Sequence, residues 1–244
     1  MSDAPDKRSD RPVGIIGFGA FGQLLAEHLR AYFPILVFDI ALDVARADAL
    51  GATVVSFEAA AACPVVILAV PVSQMRGVAL SLAPHLKPGA LVLDVGSVKV
   101  EPAAILRDTL PDHVEIVATH PLFGPNSARQ GIRGARIAIC PVRGRRFRVA
   151  AFCRRLGLDV IMTTPEQHDR DAAEVQGLTH LVASLLMKMN LRPTRLTTRS
   201  FELMMSAVDM VRNDAPEVRR AILTSNPYAD DVLRRFKLAL DDTA

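Results

Sequence analysis

The chain has no apolar run approaching the roughly 20 residues that a membrane span requires, and no apolar core follows its charged start, MSDAPDKRSDRP. A signal peptide needs such a core, so residues 1–11 are expected to be a disordered polar tail on a soluble, non-membrane protein. Only three cysteines occur, Cys63, Cys140 and Cys153, and none has the paired spacing of a zinc or redox motif. That pattern predicts no metal site and suits a reducing cytoplasm. The net charge is slight, at +3. The densest basic stretch, RGRRFR at 143–148 with Arg154 and Arg155 beyond it, holds a single phenylalanine. It therefore lacks the aromatic interleaving of a nucleic-acid platform. It reads as a solvated loop and helix face that draws in an anionic substrate.

What the chain does have is 244 residues, half of them hydrophobic, enough for one large or two modest domains with buried cores. Its first clear signal is VGIIGFGAFGQLLAEHLR, where Gly17, Gly19 and Gly22 follow a short apolar strand and open an amphipathic helix. Gly17 suits the tight turn, Gly19 the close approach of a pyrophosphate, and Gly22 the packing of helix on strand. Phe18, Ala20 and Phe21 supply the intervening backbone, whose N–H groups face the phosphates at a helix N-terminus. The next strand, ILVFD, ends in Asp39, placed to accept hydrogen bonds from the adenosine ribose. A carboxylate there repels a 2′-phosphate, which favours NAD over NADP.

Strands continue through TVV, PVVILAV, GALVLDV, HVEIVA and LDVIMT, with helices or turns between them. This is the alternation of a doubly wound parallel sheet, a Rossmann domain expected over 12–163. Ligands in such sheets bind beyond the carboxyl ends of the strands. Val70 closes one of those strands and is expected beside the cofactor. Two other ends carry chemistry. DVGSVK offers Ser97 and Lys99, a hydroxyl and an ammonium, although a helix-capping serine and a surface lysine would read the same way. ATHPLFGPNS offers His120 on a loop stiffened by two prolines and a glycine. Both ends should open on the edge that carries the glycine turn.

Residues 164–244 read as a smaller all-helical domain. Thr164, Pro165 and Gln167 form a capping pattern for a long helix, and Asp214 is a cap candidate for a later one. The stripe Leu178, Leu181, Val182, Leu185, Leu186 and Met189 is expected to be core. The opposite face, Ala173, Gln176, His180, Ala183 and Met187, is too weakly polar for solvent, so His180 should lie in a cleft or an interface. The exposed apolar positions of these helices predict a homodimer.

The ordered set GxGxxG, DVGSVK, THPLFGP and EQHDRDAAEVQGLTH resembles the prephenate and arogenate dehydrogenase family of tyrosine biosynthesis, nearest its plant-type and related bacterial arogenate members. The resemblance implies an NAD-dependent oxidoreductase that oxidatively decarboxylates prephenate or arogenate. It implies His120 as catalytic base, Ser97 as its assistant and His180 as a substrate contact, with Gln176 and Lys99 nearby. The family's carboxylate-clamping arginine has no match in TRSFELMM, so Arg199 or Arg195 would have to substitute. Asn126 stands where the plant-type enzymes tend to carry an acidic residue. Without that charge an ammonium lacks a partner, which favours prephenate unless Glu174 or Glu202 supplies one. The helices fill the remaining chain, so feedback by tyrosine would act at the active site. Two competing readings are another two-domain reductase, of imines or hydroxyacids, and a non-catalytic NAD sensor.

Overall fold

The computed structural model describes residues 8–144, 146–192 and 194–242. Residues 1–7 of the expected tail and Arg145 of the basic cluster lie outside that range. The remainder of the tail is tied down: Arg8 donates to the Phe33 carbonyl at 3.1 Å and Ser9 N–H to the Tyr32 carbonyl at 2.9 Å. The chain separates into two compact units. One runs to Gly96 and resumes over Pro102–Thr164; the other joins Ser97–Glu101 to the residues from Pro165 onward.

The first unit is an eight-stranded sheet in the order β3-β2-β1-β4-β5-β6-β7-β8. Its strands are β1 (Val13–Ile16), β2 (Ile35–Phe38), β3 (Ala52–Val54), β4 (Val65–Leu68), β5 (Leu91–Asp94), β6 (Glu115–Pro121), β7 (Arg136–Arg143) and β8 (Asp159–Met162). The first six pair in parallel, as their near-continuous apolar sequences require when both faces are covered. α1 (Ala20–Leu29) packs Ala26 and Leu29 into the core on one face. On the other, α4 (Met75–Leu82) and α5 (Val100–Thr109) contribute Met75, Leu82 and Leu106. The short α2 (Val44–Ala49) and α3 (Phe57–Ala61) complete the early crossovers.

Strand β7, RIAICPVR, is absent from the strands expected above. The link before it carries only a 3-10 turn, Ser127–Gln130, and no crossover helix, so β7 returns antiparallel to β6. α6 (Arg146–Arg155) then crosses to β8, which lies parallel to β7. Arg143, read as solvated, is instead structural. Its guanidinium donates to the Leu110, Pro111 and Val114 carbonyls at 3.2, 2.6 and 2.8 Å and to Asp112 at 2.9 Å.

The second unit is helical: α7 (Pro165–Ala172), α8 (Leu178–Lys188), α9 (Arg199–Arg212), α10 (Pro216–Arg220) and α11 (Ala229–Asp241). The long helix expected from Thr164 does begin at Pro165, but a π-turn, Ala173–Gly177, interrupts it before α8. A second π-turn, Ala221–Ser225, follows α10 and packs against the first. The weakly polar face of α8 is buried as expected, whereas the apolar stripe expected to be core is only partly covered. Ala183 and His180 are buried, whereas Leu178, Leu185 and Met189 are 36%, 40% and 64% exposed. Small side chains let α8 approach α9 closely, while Leu181, Val182 and Leu186 of the stripe are half-buried. No helix among the described residues is long and apolar enough to cross a membrane.

Candidate active site

In the sheet unit the carboxyl ends of three parallel strands, β1, β2 and β4, carry the expected cofactor residues. Gly17, after β1, has φ +97°, and a Cβ there would meet the Ala69 carbonyl oxygen at 2.4 Å. A Cβ on Gly22 would meet the Gly17 carbonyl oxygen at 2.2 Å, so helix and turn touch only because neither residue has one. Gly19 faces open space instead. It is also the cap position of α1, whose N-terminus receives no side-chain bond, leaving N–H groups directed at that space. Phe18 is buried, Ala20 is exposed, and Phe21 meets Phe123 of the later loop with ring centroids 6.3 Å apart. Val70, half-buried after β4, flanks Gly17.

Asp39, beyond β2, is pinned at both oxygens. Oδ2 accepts the Phe18 N–H at 2.5 Å and Oδ1 the Ala41 N–H at 2.8 Å. The carboxylate is thereby locked against the glycine turn with lone pairs still free for further donors. Arg46 lies close by, its Nε donating to Gln23 Oε1 at 3.0 Å, while Gln23 Nε2 donates to the Phe18 carbonyl at 3.1 Å.

His120 is not on the proline loop. It is the penultimate residue of β6, paired opposite Ala138 of β7, with Pro121 opposite Ile137. A proline is tolerated there because it ends the strand. The stiffness thus comes from the ladder, and His120 is 5% exposed. Thr119 Oγ1 donates to the Asp94 carbonyl at 2.6 Å, tying the tip of β6 to that of β5. Asp94 Oδ1 in turn accepts the Gly96 N–H at 3.0 Å, turning the chain towards Ser97. Beyond β6, Ser127 Oγ and the Gly124 backbone bond reciprocally at 2.9 and 3.1 Å, and Asn126 is exposed.

In the helical unit, Ser97 is half-buried and Lys99, expected at the substrate, has no exposed surface. The Lys99 and Val100 N–H groups both donate to the Asp169 carboxylate, at 2.7 and 2.8 Å. Gln176 stands on the first π-turn with its Oε1 buried and without a hydrogen-bond partner among the described residues. π-turns recur at functional sites because they turn one side chain out of register. One turn on, His180 is 4% exposed, and its Nε2 lies 3.5 Å from Asp214 Oδ2.

Burial pushes the His180 pKa down, against the attraction of Asp214 and with the repulsion of Arg219. Burial also pushes Asp214 up. Both shifts oppose charge, so His180 is a neutral imidazole facing a carboxylate near pH 7 rather than half of an ion pair. Asp214 does not cap α10 as expected; that helix begins at Pro216 with Ala215 at its cap position and no side-chain bond.

Arg199 and Arg195 are exposed, and Arg199 pairs with Glu202 of its own helix at 3.5 Å. Glu174 pairs with Arg235. Asp169, His168, Asn226 and the partnership of Asp214 with His180 are not among the residues expected from the sequence. A histidine–aspartate doublet was visible in EQHDRD, yet on an early helical turn such residues ordinarily face water.

The family model described as prephenate dehydrogenase, nucleotide-binding domain, matches residues 36–141, and that described as prephenate dehydrogenase, dimerization domain, matches residues 164–243. The chain is 30% identical to Arabidopsis thaliana arogenate dehydrogenase 1, chloroplastic, over 99% of its own length and 40% of that protein's. It is 31% identical to the cyclohexadienyl dehydrogenase of Zymomonas mobilis, over 72% of this chain and 66% of that one. Among solved structures, prephenate dehydrogenase from A. aeolicus in complex with hydroxyphenyl propionate and NAD+ superposes with a TM-score of 0.77. The identity is 24%, covering 97% of this chain and 90% of that one. The chain spans well under half the length of the Arabidopsis relative. Two adjoining domain models of one enzyme family account for most of its residues, in the same order as the sheet unit and the helical unit, and the chain belongs to the prephenate dehydrogenase family.

Proposed function

We propose that the protein catalyses the NAD-dependent oxidative decarboxylation of prephenate, with arogenate as the weaker substrate, as a homodimer serving tyrosine biosynthesis. The observation that carries this reading is a buried imidazole, His120, on the same sheet edge as a three-glycine turn and a pinned carboxylate. The residues present fit the dinucleotide: open space at Gly19, an uncapped α1 N-terminus for the pyrophosphate, and Asp39 for the adenosine ribose.

NAD held by the Gly17–Gly22 turn and Asp39 would supply the hydride acceptor for the carbinol carbon of the ring. His120, held by two strands, accepts the hydroxyl proton. The Ser97 hydroxyl orients that hydroxyl group. The resulting ketone draws electrons from the breaking bond to the ring carboxylate, carbon dioxide leaves, and the ring becomes aromatic. His120 returns its proton to the phenolate oxygen. In the helical unit, neutral His180 and the buried Gln176 Oε1 offer hydrogen bonds to the substrate.

Prephenate is favoured because none of the positions expected to supply an ammonium with a counter-charge does so. Asn126 is neutral, and the two acidic candidates are already engaged, Glu174 by Arg235 and Glu202 by Arg199. The likeness to Arabidopsis arogenate dehydrogenase 1 and to a cyclohexadienyl dehydrogenase retains arogenate as the second substrate. A second copy of the chain is the natural cover for the exposed stripe of α8 and for Leu203 and Met210 of α9, 54% and 70% exposed. The match to a dimerization domain supports that assignment.

NADH formation with each substrate tests the reading. Prephenate should give the higher kcat/KM. Turnover of arogenate alone would overturn the substrate choice, and turnover of neither would overturn the function.

A further inference from the structure

Asp169 is a carboxylate with no exposed surface, contributed by α7, and nothing in the proposed chemistry uses it. Four donors converge on it. Its Oδ1 accepts the Lys99 N–H and lies 2.8 Å from His168 Nδ1, and its Oδ2 accepts the Val100 N–H. Its main-chain carbonyl accepts Asn226 Nδ2 at 2.8 Å. Two consecutive backbone N–H groups on one carboxylate form an N-cap for α5, but one supplied from 69 and 70 residues away in sequence. A serine or aspartate just before the helix would cap it at the surface at little cost. Burying a carboxylate is expensive even when it is fully bonded, so the arrangement calls for a return beyond starting a helix.

That return lies two residues upstream. Ser97 precedes Lys99 on the short segment Ser97–Glu101, which belongs to the same compact unit as α7 rather than to the sheet that supplies its neighbours on both sides. We infer that Asp169, braced by His168 and Asn226, is the positioning residue that fixes the backbone of the Ser97 loop. It acts through the Lys99 and Val100 amides and touches neither substrate nor cofactor. The inference rests on the proposed role of Ser97. A hydroxyl that orients a reacting group must be held within a fraction of an ångström, and misplacement by about 1 Å costs on the order of 10²-fold.

Asp169→Asn keeps the shape but turns an NH2 group towards one of the two backbone donors. We expect kcat per titrated active site to fall roughly 10- to 100-fold, with the Kd for NAD unchanged and faster hydrogen exchange at the Lys99 and Val100 amides. The decisive measurement is a cycle with Ser97→Ala. If Asp169 acts through Ser97, the double variant is no slower than the slower single variant; if the two losses multiply, the inference is overturned. Ser97→Ala with full kcat would instead remove the catalytic reading of Ser97, a separate failure. Should Asp169→Asn not fold, His168 carries the same cycle. His168→Gln, which keeps a donor, should retain kcat, and His168→Ala should lower it without adding to Ser97→Ala. Multiplicative losses there overturn the inference equally.

Discussion

In the sheet unit the groups proposed to function are mostly backbone: the N–H groups of the glycine turn, the free start of α1 and the ladder that grips His120. In the helical unit the proposed groups are side chains, Asp169, Gln176 and His180, whose meaning depends on which face of a helix is buried. Backbone geometry is written into sequence locally, through glycine positions and strand periodicity. Face assignment is not, because a helix with one large-apolar face and one small, weakly polar face can bury either. The sheet unit should therefore tolerate few changes at few positions, while the helical unit should respond to changes in what covers it.

The largest effect should come from His120→Asn, which keeps a hydrogen-bonding side chain on β6 and removes the proton acceptor. The kcat is expected to fall roughly 10²–10⁴-fold with the NAD Kd unchanged. Stopped-flow turnover together with calorimetric NAD binding separates the two quantities. An unaltered kcat would break the comparison at its base, since the sheet edge would then hold a cofactor and no chemistry.

The helical unit's counterpart is Leu203→Glu on α9, a side chain 54% exposed in one chain. If a second copy covers it, the charge must be buried or the interface must open, raising the dimer Kd roughly 30-fold or more. Sedimentation velocity across a concentration series measures this. A wild-type protein that is monomeric at micromolar concentration would leave the apolar stripe of α8 and α9 without its proposed cover.

The contrast also explains what could be read in advance. The spacing of Gly17, Gly19 and Gly22, and Asp39 at the next strand end, depend on one turn and one strand each, so their places followed from short-range rules. His120 was legible at the C-terminal tip of the HVEIVA strand, but its stiffness was read from the prolines, because the ladder that holds it exists only once β7 returns beside it. β7 itself hid in a pattern tuned to parallel crossovers. Leu178, Leu185 and Met189 have the periodicity of a core stripe, and no count of apolar residues distinguishes a core from an interface. Asp169 could not be seen because its partners, Lys99 and Val100, are 70 and 69 residues distant in sequence.

A smaller effect returns to the sheet unit. Both oxygens of Asp39 are held by backbone N–H groups, so the charge cannot swing away from a 2′-phosphate. Asp39→Asn removes the repulsion and leaves Arg46 nearby as a cation. The NADP to NAD ratio of kcat/KM should rise roughly 10-fold. Steady-state rates with both cofactors decide it, and a wild type that already prefers NADP would remove Asp39 from the specificity argument.

The smallest effect sharpens the helical side, in the pH dependence of stability. Burial holds His180 below its ordinary 6.5. Between 6.5 and that lower folded value the unfolded chain binds a proton that the folded chain refuses, so stability falls as pH drops through this window. Asp214 has the opposite sign. Its folded pKa lies above its ordinary 3.8, so the folded chain holds the extra proton, and its contribution is present below 3.8 and lost as pH rises through the folded value. The His180 window runs downward from 6.5 and the Asp214 window upward from 3.8, and single variants separate them. His180→Gln should abolish the upper dependence, flattening the urea midpoint just below pH 6.5. Asp214→Asn removes the attraction that had been raising the His180 pKa, so the upper window should widen towards lower pH. Urea midpoints measured at closely spaced pH values in the three proteins test both statements. An upper dependence that survives in His180→Gln would mean that another group titrates there, and the imidazole's neutrality would lose its support.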